Sequence, residues 1–270
     1  MRKDQRTTIW QVPAYLPYVQ TKLTDDVLAA AEKKIGARLP NEYVELLQIQ
    51  NGGYIRFTFL DGLSGQIYGV GQKFPNLLDD LWLVYREYMT IDLEGLYPFD
   101  GDGHWHLCLD YRGNNVEPQV TWISTESDTE KVIASSFAKY LEQLTLDTNE
   151  NFVLETERTL PEMVHELQQV LQMQWTGPDN WAHGYPVYRA NWKESVIWLS
   201  SNEVPRGFIR PDEDGYEELK AEMETAALRY PELPSKVLLL EVADAAQGVM
   251  LQQILAGKGI DLRPLSAYVE

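Results

Sequence analysis

The order of apolar and polar positions divides the chain into short elements of mixed type. Residues 24–36 place Val27, Leu28, Ala31 and Ile35 at helical spacing, with Thr24 suited to the N-cap, Asp25 and Asp26 to the first turn, and Gly36 to the stop. A second helix is expected from Pro40, whose missing N–H would be unpaired in a first turn anyway. It puts Tyr43, Leu46, Leu47 and Gln50 on one face and stops at Asn51-Gly52-Gly53. Residues 54–60 alternate as a strand, DGLSG turns the chain, and residues 66–70 read as a further strand. The spacing over Leu77 to Tyr88 predicts a helix. Asp100 to Gly103 reads as a turn, 104–110 and 119–123 as strands, and 129–144 as one amphipathic helix. The apolar face of that last helix comprises Val132, Ile133, Phe137, Tyr140, Leu141 and Leu144.

Residues 147–151 are polar and aperiodic, and they mark a boundary between domains at 1–146 and 152–270. Beyond them the pattern predicts strands at 152–156, 186–192, 195–200, 207–210, 236–242 and 260–267. Helices are expected at 160–174, 214–229 and 243–256, the middle one strongly acidic. Both halves are therefore α+β, and the second has features of a ferredoxin-like βαββαβ arrangement.

Charge and cysteine usage narrow the classes of function. The 270 residues include 23 basic and 41 acidic side chains, a net charge of −18. Such a field repels phosphate backbones and anionic membranes and favours a basic partner. Residues 1–146 carry −7 and residues 147–270 carry −11, so both halves share the acidity. The start of the chain shows no signal-peptide pattern, no apolar run is long enough to cross a membrane, and Cys108 is the single cysteine. A reducing cytoplasm is the expected location.

Three blocks of residues in the first half carry a resemblance. They are Leu39-Pro40, Tyr43 and Leu47 leading to Asn51-Gly52-Gly53; Pro98-Phe99, Asp102-Gly103 and Leu109-Asp110; and Ile133-Ala134, Ser136, Phe137 and Leu141. In this order the first half resembles the SUKH superfamily of SMI/KNR type, over roughly residues 20–146. The resemblance implies an antiparallel sheet flanked by helices. It also implies a non-enzymatic, protein-binding role, as in bacterial immunity proteins that block a cognate toxin, often a nuclease. A fungal member that regulates cell-wall synthesis through protein contacts implies the alternative of a general regulatory module. Residues 147–270 have no such likeness.

No residue pattern completes a catalytic or metal motif. His104, His106 and Cys108 alternate along one strand with Asp110 next in line, but same-face neighbours stand about 7 Å apart, too far for more than two to share an ion. Asp100-Gly101-Asp102-Gly103 lacks the later ligands of a calcium loop. After His165-Glu166, position 169 is Gln169 where a zinc protease needs a second histidine. No cofactor is expected. The candidate partner-binding residues are the acids Asp100, Asp102, Asp212, Glu213, Asp214, Glu217 and Glu218, and Trp175 and Trp181 around the TGPDN loop.

Overall fold

The computed structural model describes residues 8–12, 14–59, 65–114, 116–148, 151–179, 186–205, 207–208 and 226–269. It divides into two compact units, Met1–Asp147 and Thr148–Glu270.

The first unit begins its helical layer with α1, Asp25–Ile35, capped by Thr24 Oγ1 accepting from Val27 N and stopped by Gly36 at φ +80°. Helix α2, Asn41–Ile49, follows Pro40 and buries Tyr43, Leu46 and Leu47. The chain then forms three two-residue strands, β1 (Gly53–Tyr54), β2 (Phe57–Thr58) and β3 (Gln66–Ile67). The expected continuous strand over 54–60 is thus interrupted. A four-stranded antiparallel sheet follows: β4 (Leu96–Gly101), β5 (Trp105–Asp110), β6 (Gln119–Ser124) and β7 (Thr129–Ala134), in chain order. Helix α3 (Phe137–Gln143) and β8 (Thr145–Leu146), which pairs with β2, complete the unit.

Two expected helices take other forms. Residues 129–144 split into β7 and α3, because Ser136 accepts from Lys139 N and starts the helix there. Val132, assigned to the apolar helix face, lies on β7 opposite Thr121 and is 53% exposed. Residues 77–88 form successive turns rather than a helix. Trp82 is pulled inward, its indole N–H donating to Leu96 O at 2.9 Å, while Tyr85 Oη donates to Gly103 O at 2.9 Å. These anchors hold the segment against the sheet.

Alternation along β5 sends Leu107 and Leu109 to the helices and His106, Cys108 and Asp110 to the opposite face. On the helix side Tyr43, Phe99, Phe137 and Tyr140 form an aromatic knot with centroids 5.1–6.3 Å apart. On the other side Trp82, Leu93, Leu96, Cys108 and Ile123 make a smaller core under the turn segment. The first unit therefore has three layers, with the sheet in the middle.

The second unit contains β9 (Asn151–Glu155), α4 (Leu160–Leu171), β10 (Trp175–Asp179), β11 (Val187–Trp192) and β12 (Ser195–Ser201). Next come the paired β13 (Glu203–Pro205) and β14 (Ala226–Leu228), then β15 (Val237–Val242), α5 (Ala245–Ala256) and β16 (Leu262–Pro264). The main sheet runs β10-β11-β12-β15-β9-β16 with antiparallel neighbours. Within it β9, β12, β15 and β16, with α4 and α5, reproduce the ferredoxin-like order, and β10 and β11 extend one edge. Both helices share one core with Phe152, Leu154, Leu199, Leu238 and Leu240. Gly248 stands inside α5 because a Cβ there would lie 2.4 Å from Phe152 Cζ. Most of the acidic helix expected over 214–229 lies outside the described residues, but its last turn is replaced by β14.

Candidate functional site

A cleft of about 810 Å³ opens on the helical side of the first unit. It is built by α1 and α2, the crossing between them, the loop at 116–118 and the start of α3. Leu28 and Glu32 stand one turn apart on α1, while Glu42 and Glu45 are three apart on α2, so each pair shares a face. Gly36 reverses the chain, and Tyr111 Oη donates to Arg38 O at 2.8 Å to fix the crossing. Glu32 Oε1 accepts from Leu39 N at 3.0 Å, which ties the rim to the crossing. Burial and the Glu32 carboxylate both push the Tyr111 phenol up, so it stays a donor at neutral pH.

The lining pairs a partly apolar floor with an acidic rim. Leu28 and Val44 contribute partly exposed apolar surface over the buried Leu39 and Phe137, and Val116 stands at the mouth 85% exposed. Four carboxylates, from Glu32, Glu42, Glu45 and Glu117, face one guanidinium, from Arg38. This combination suits a protein segment carrying both a basic group and an apolar anchor. A second exposed apolar group lies on the turn segment, where Leu83, Val84 and Tyr88 are 60–67% exposed.

The residues singled out in the sequence are placed elsewhere. Asp100, expected among the partner-binding acids, instead belongs to β4, is 2% exposed, and uses its carboxylate to accept from Gly65 N, Gln66 N and Gly101 N. It has no surface to offer a partner. Asp102 is exposed but its Oδ1 accepts from His104 N and Trp105 N to shape the turn into β5. Trp175 is on strand β10 rather than in a loop, half-buried, with its indole N–H donating to Val164 O at 3.1 Å. Trp181, Asp212, Glu213, Asp214, Glu217 and Glu218 lie outside the described residues.

Of the histidine and cysteine positions, His106 and Cys108 serve packing, whereas His104 and His165 lie at the surface. His104 precedes β5 and pairs with Glu126 at 2.8 Å, both side chains well exposed. His106 is 3% exposed, edge-on to Trp82 at 5.1 Å, and neither ring nitrogen makes a well-formed hydrogen bond. Cys108 is fully buried, and burial pushes its thiol up, the opposite of an activated nucleophile. His165 is exposed on α4 and meets Gln169 at 2.9 Å. Among the described residues no group of three or more His, Cys, Asp or Glu side chains is arranged to hold a metal ion.

Burial lowers the His106 pKa from 6.5 to about 4, with Asp102 opposing the shift. The unfolded chain therefore takes up a proton between these values while the folded protein does not. Stability is complete above pH 6.5 and falls as pH drops toward 4, by about 3 kcal/mol from this residue. Denaturant titrations across that window should show the loss in the native protein and a flatter profile in His106→Phe. Parallel profiles would contradict it.

Residues 22–143 match the SMI1 / KNR4 family (SUKH-1). No curated protein matches the chain. The match spans all three blocks, and the structure gives each a physical role: Asn51 and Gly52 at a close backbone crossing, Phe99 in the core and Asp110 in a polar network, and Ser136 as a helix cap. The first unit is thus similar to the SUKH-1 family over residues 22–143.

Proposed function

We propose that the protein is a non-enzymatic immunity protein that binds and neutralises a cognate toxin, a basic nuclease domain in the reading we favour. The observation that carries this is the cleft between α1 and α2, where an apolar floor is rimmed by Glu32, Glu42, Glu45 and Glu117. A nuclease must hold phosphate, so its active-site rim is positively charged. An acidic inhibitor meets that surface with complementary charge, and the net −18 accelerates encounter. The likeness of the first unit to the SUKH-1 family supports protein binding rather than catalysis.

The location consistent with this role is the cytoplasm of the producing cell. Among the described residues no helix is long and apolar enough to cross a membrane. Nucleic acid and anionic lipid are disfavoured as partners by charge. We assign residues 1–146 to the main toxin contact, and residues 152–270 form a second α+β domain that adds to it only through a few side chains. Trp181 and the acids from Asp212 to Glu218 are kept as further contacts of the second domain.

The alternative is a general protein-interaction module of the fungal regulatory type. It draws on the second folded unit, which lies outside the family match. The two readings separate in one binding experiment. The full chain is titrated with an inactivated toxin domain encoded beside it, in the native form and as Glu42→Lys/Glu45→Lys. The immunity reading expects a tight native complex, weakened about a hundredfold by the double reversal and weakened also by added salt. Absence of any native complex overturns it in favour of the regulatory module.

A further inference from the structure

Arg38 is the one cation lining the acidic cleft, and among the described residues its guanidinium has no ion-pair partner. The backbone there is fixed, since Tyr111 Oη donates to Arg38 O, and Glu32 Oε1 is engaged by Leu39 N. The side chain is exposed. Helix α2 supplies one whole side of the cleft. Tyr43, Leu46 and Leu47 face the core, while Asn41, Glu42, Val44, Glu45 and Gln48 fall on the opposite face. From Asn41 to Gln48 this stripe runs about 10 Å, the span of about three extended residues. Arg38 marks one end of it, ahead of the helix. Pro40 offers no side-chain cap, so the N-terminal end of α2 adds partial positive charge at that same end. Glu42 and Glu45 follow along the helix, and Glu117 joins them from the loop at 116–118. The groove therefore has a cationic end and an anionic length.

We infer that the segment entering this groove is the free C-terminal tail of the partner protein. Its terminal carboxylate pairs with Arg38, and its lysine or arginine side chains pair with Glu42, Glu45 and Glu117. An apolar side chain of the tail covers Leu28 and Val44. The inference rests on the reading of the cleft as the partner site, and adds which part of the partner enters and in which direction. Charge complementarity selects this occupant. A segment with basic groups alone would cover Arg38 without compensating it. A segment without basic groups would desolvate the carboxylates of Glu42, Glu45 and Glu117 unpaired. A chain end carries its carboxylate at a fixed place on the backbone, and a guanidinium holds a carboxylate bidentately, so the pair sets the direction of the tail.

The test is calorimetric titration of the full chain with a pair of peptides, acetyl-Lys-Leu-Lys-Leu ending in a free carboxylate and the same sequence ending in an amide. The native protein should bind the acid about tenfold more tightly than the amide. Arg38→Gln should bring the two within about twofold, and Arg38→Lys should keep part of the preference. Neither substitution should change the melting temperature, because the side chain is exposed. Glu42→Lys/Glu45→Lys should weaken both peptides. Equal binding of acid and amide by the native protein, or binding of neither, overturns the inference. An inactivated toxin domain lacking its last few residues separates this result from the function proposed above. Its complex should be weaker by about tenfold or more. A complex unchanged by the truncation, yet still weakened by Glu42→Lys/Glu45→Lys, overturns the tail and leaves toxin neutralisation standing. Acid-selective peptide binding without any complex of the intact toxin supports the tail and overturns neutralisation.

Discussion

Gly52→Ala is expected to destabilise the protein by about 3–4 kcal/mol, a large part of the ~5–15 kcal/mol that holds a domain folded. The backbone at Gly52 has φ +92°, where an L-side chain is strained. An added Cβ would also stand 2.5 Å from Gly69 N and 2.9 Å from Gly69 Cα, so main chain rather than a movable side chain blocks it. The two segments are clamped at this point by Asn51, which donates to Val70 O and Thr21 O and accepts from Val70 N. Relief by displacement would therefore break three further hydrogen bonds. Gly36→Ala is the matched comparison: φ is +80°, but no heavy atom lies within 4 Å of the added Cβ. Its cost should stop at the conformational part, about 1–2 kcal/mol. Equal losses in the two variants, read from denaturant melts, would contradict the account of the crossing.

The second large effect is expected at Asp110. Its side chain is 1% exposed and faces away from the main core on β5. It accepts from Arg112 Nε at 2.9 Å and Nη2 at 2.8 Å, from Gln119 at 3.0 Å and from Thr121 at 2.8 Å, and Arg112 continues to Glu130. Burial alone would raise the carboxyl pKa, but these hydrogen bonds, led by Arg112, outweigh it and hold the group at about 2. A lowered folded pKa stabilises above the ordinary value of 3.8, and that contribution is lost as pH falls through about 2. Asp110→Ala leaves buried donors without an acceptor and should cost about 3–5 kcal/mol at neutral pH. Asp110→Asn should retain part of the network and remove the acid-dependent loss. Acid melts of the two variants distinguish this from simple packing, which would leave the pH dependence in place.

Legibility from sequence followed how local the cause of each feature is. Helices α1 and α2 were readable because their caps, stops and apolar spacing lie within a few residues. The split of 129–144 was missed although Ser136, a good N-cap, stood in the middle, since Val132 and Ile133 mimic a helical face. The turns at 77–88 were missed because their form is set by Trp82 and Tyr85 bonding to residues 14 and 18 positions away. Asp100 stands as an acid in a glycine-rich run that reads as an exposed turn, but distant Gly65 and Gln66 turn it inward. The acidic cleft left no signal in the chain order. Glu32, Glu42, Glu45 and Glu117 come from two helices and a far loop, and only folding collects them. The likeness of the first unit to the SUKH-1 family is carried by the three residue blocks, which encode structure and say little about what the surface binds.

Toxin neutralisation through the acidic cleft is the function proposed, and growth of cells that express a toxin gene found beside this one would test it most directly. Cells co-expressing the native protein should survive toxin induction. Cells co-expressing Glu42→Lys/Glu45→Lys, at equal abundance, should not. Death in both cases, or full protection by the double reversal, would contradict the account.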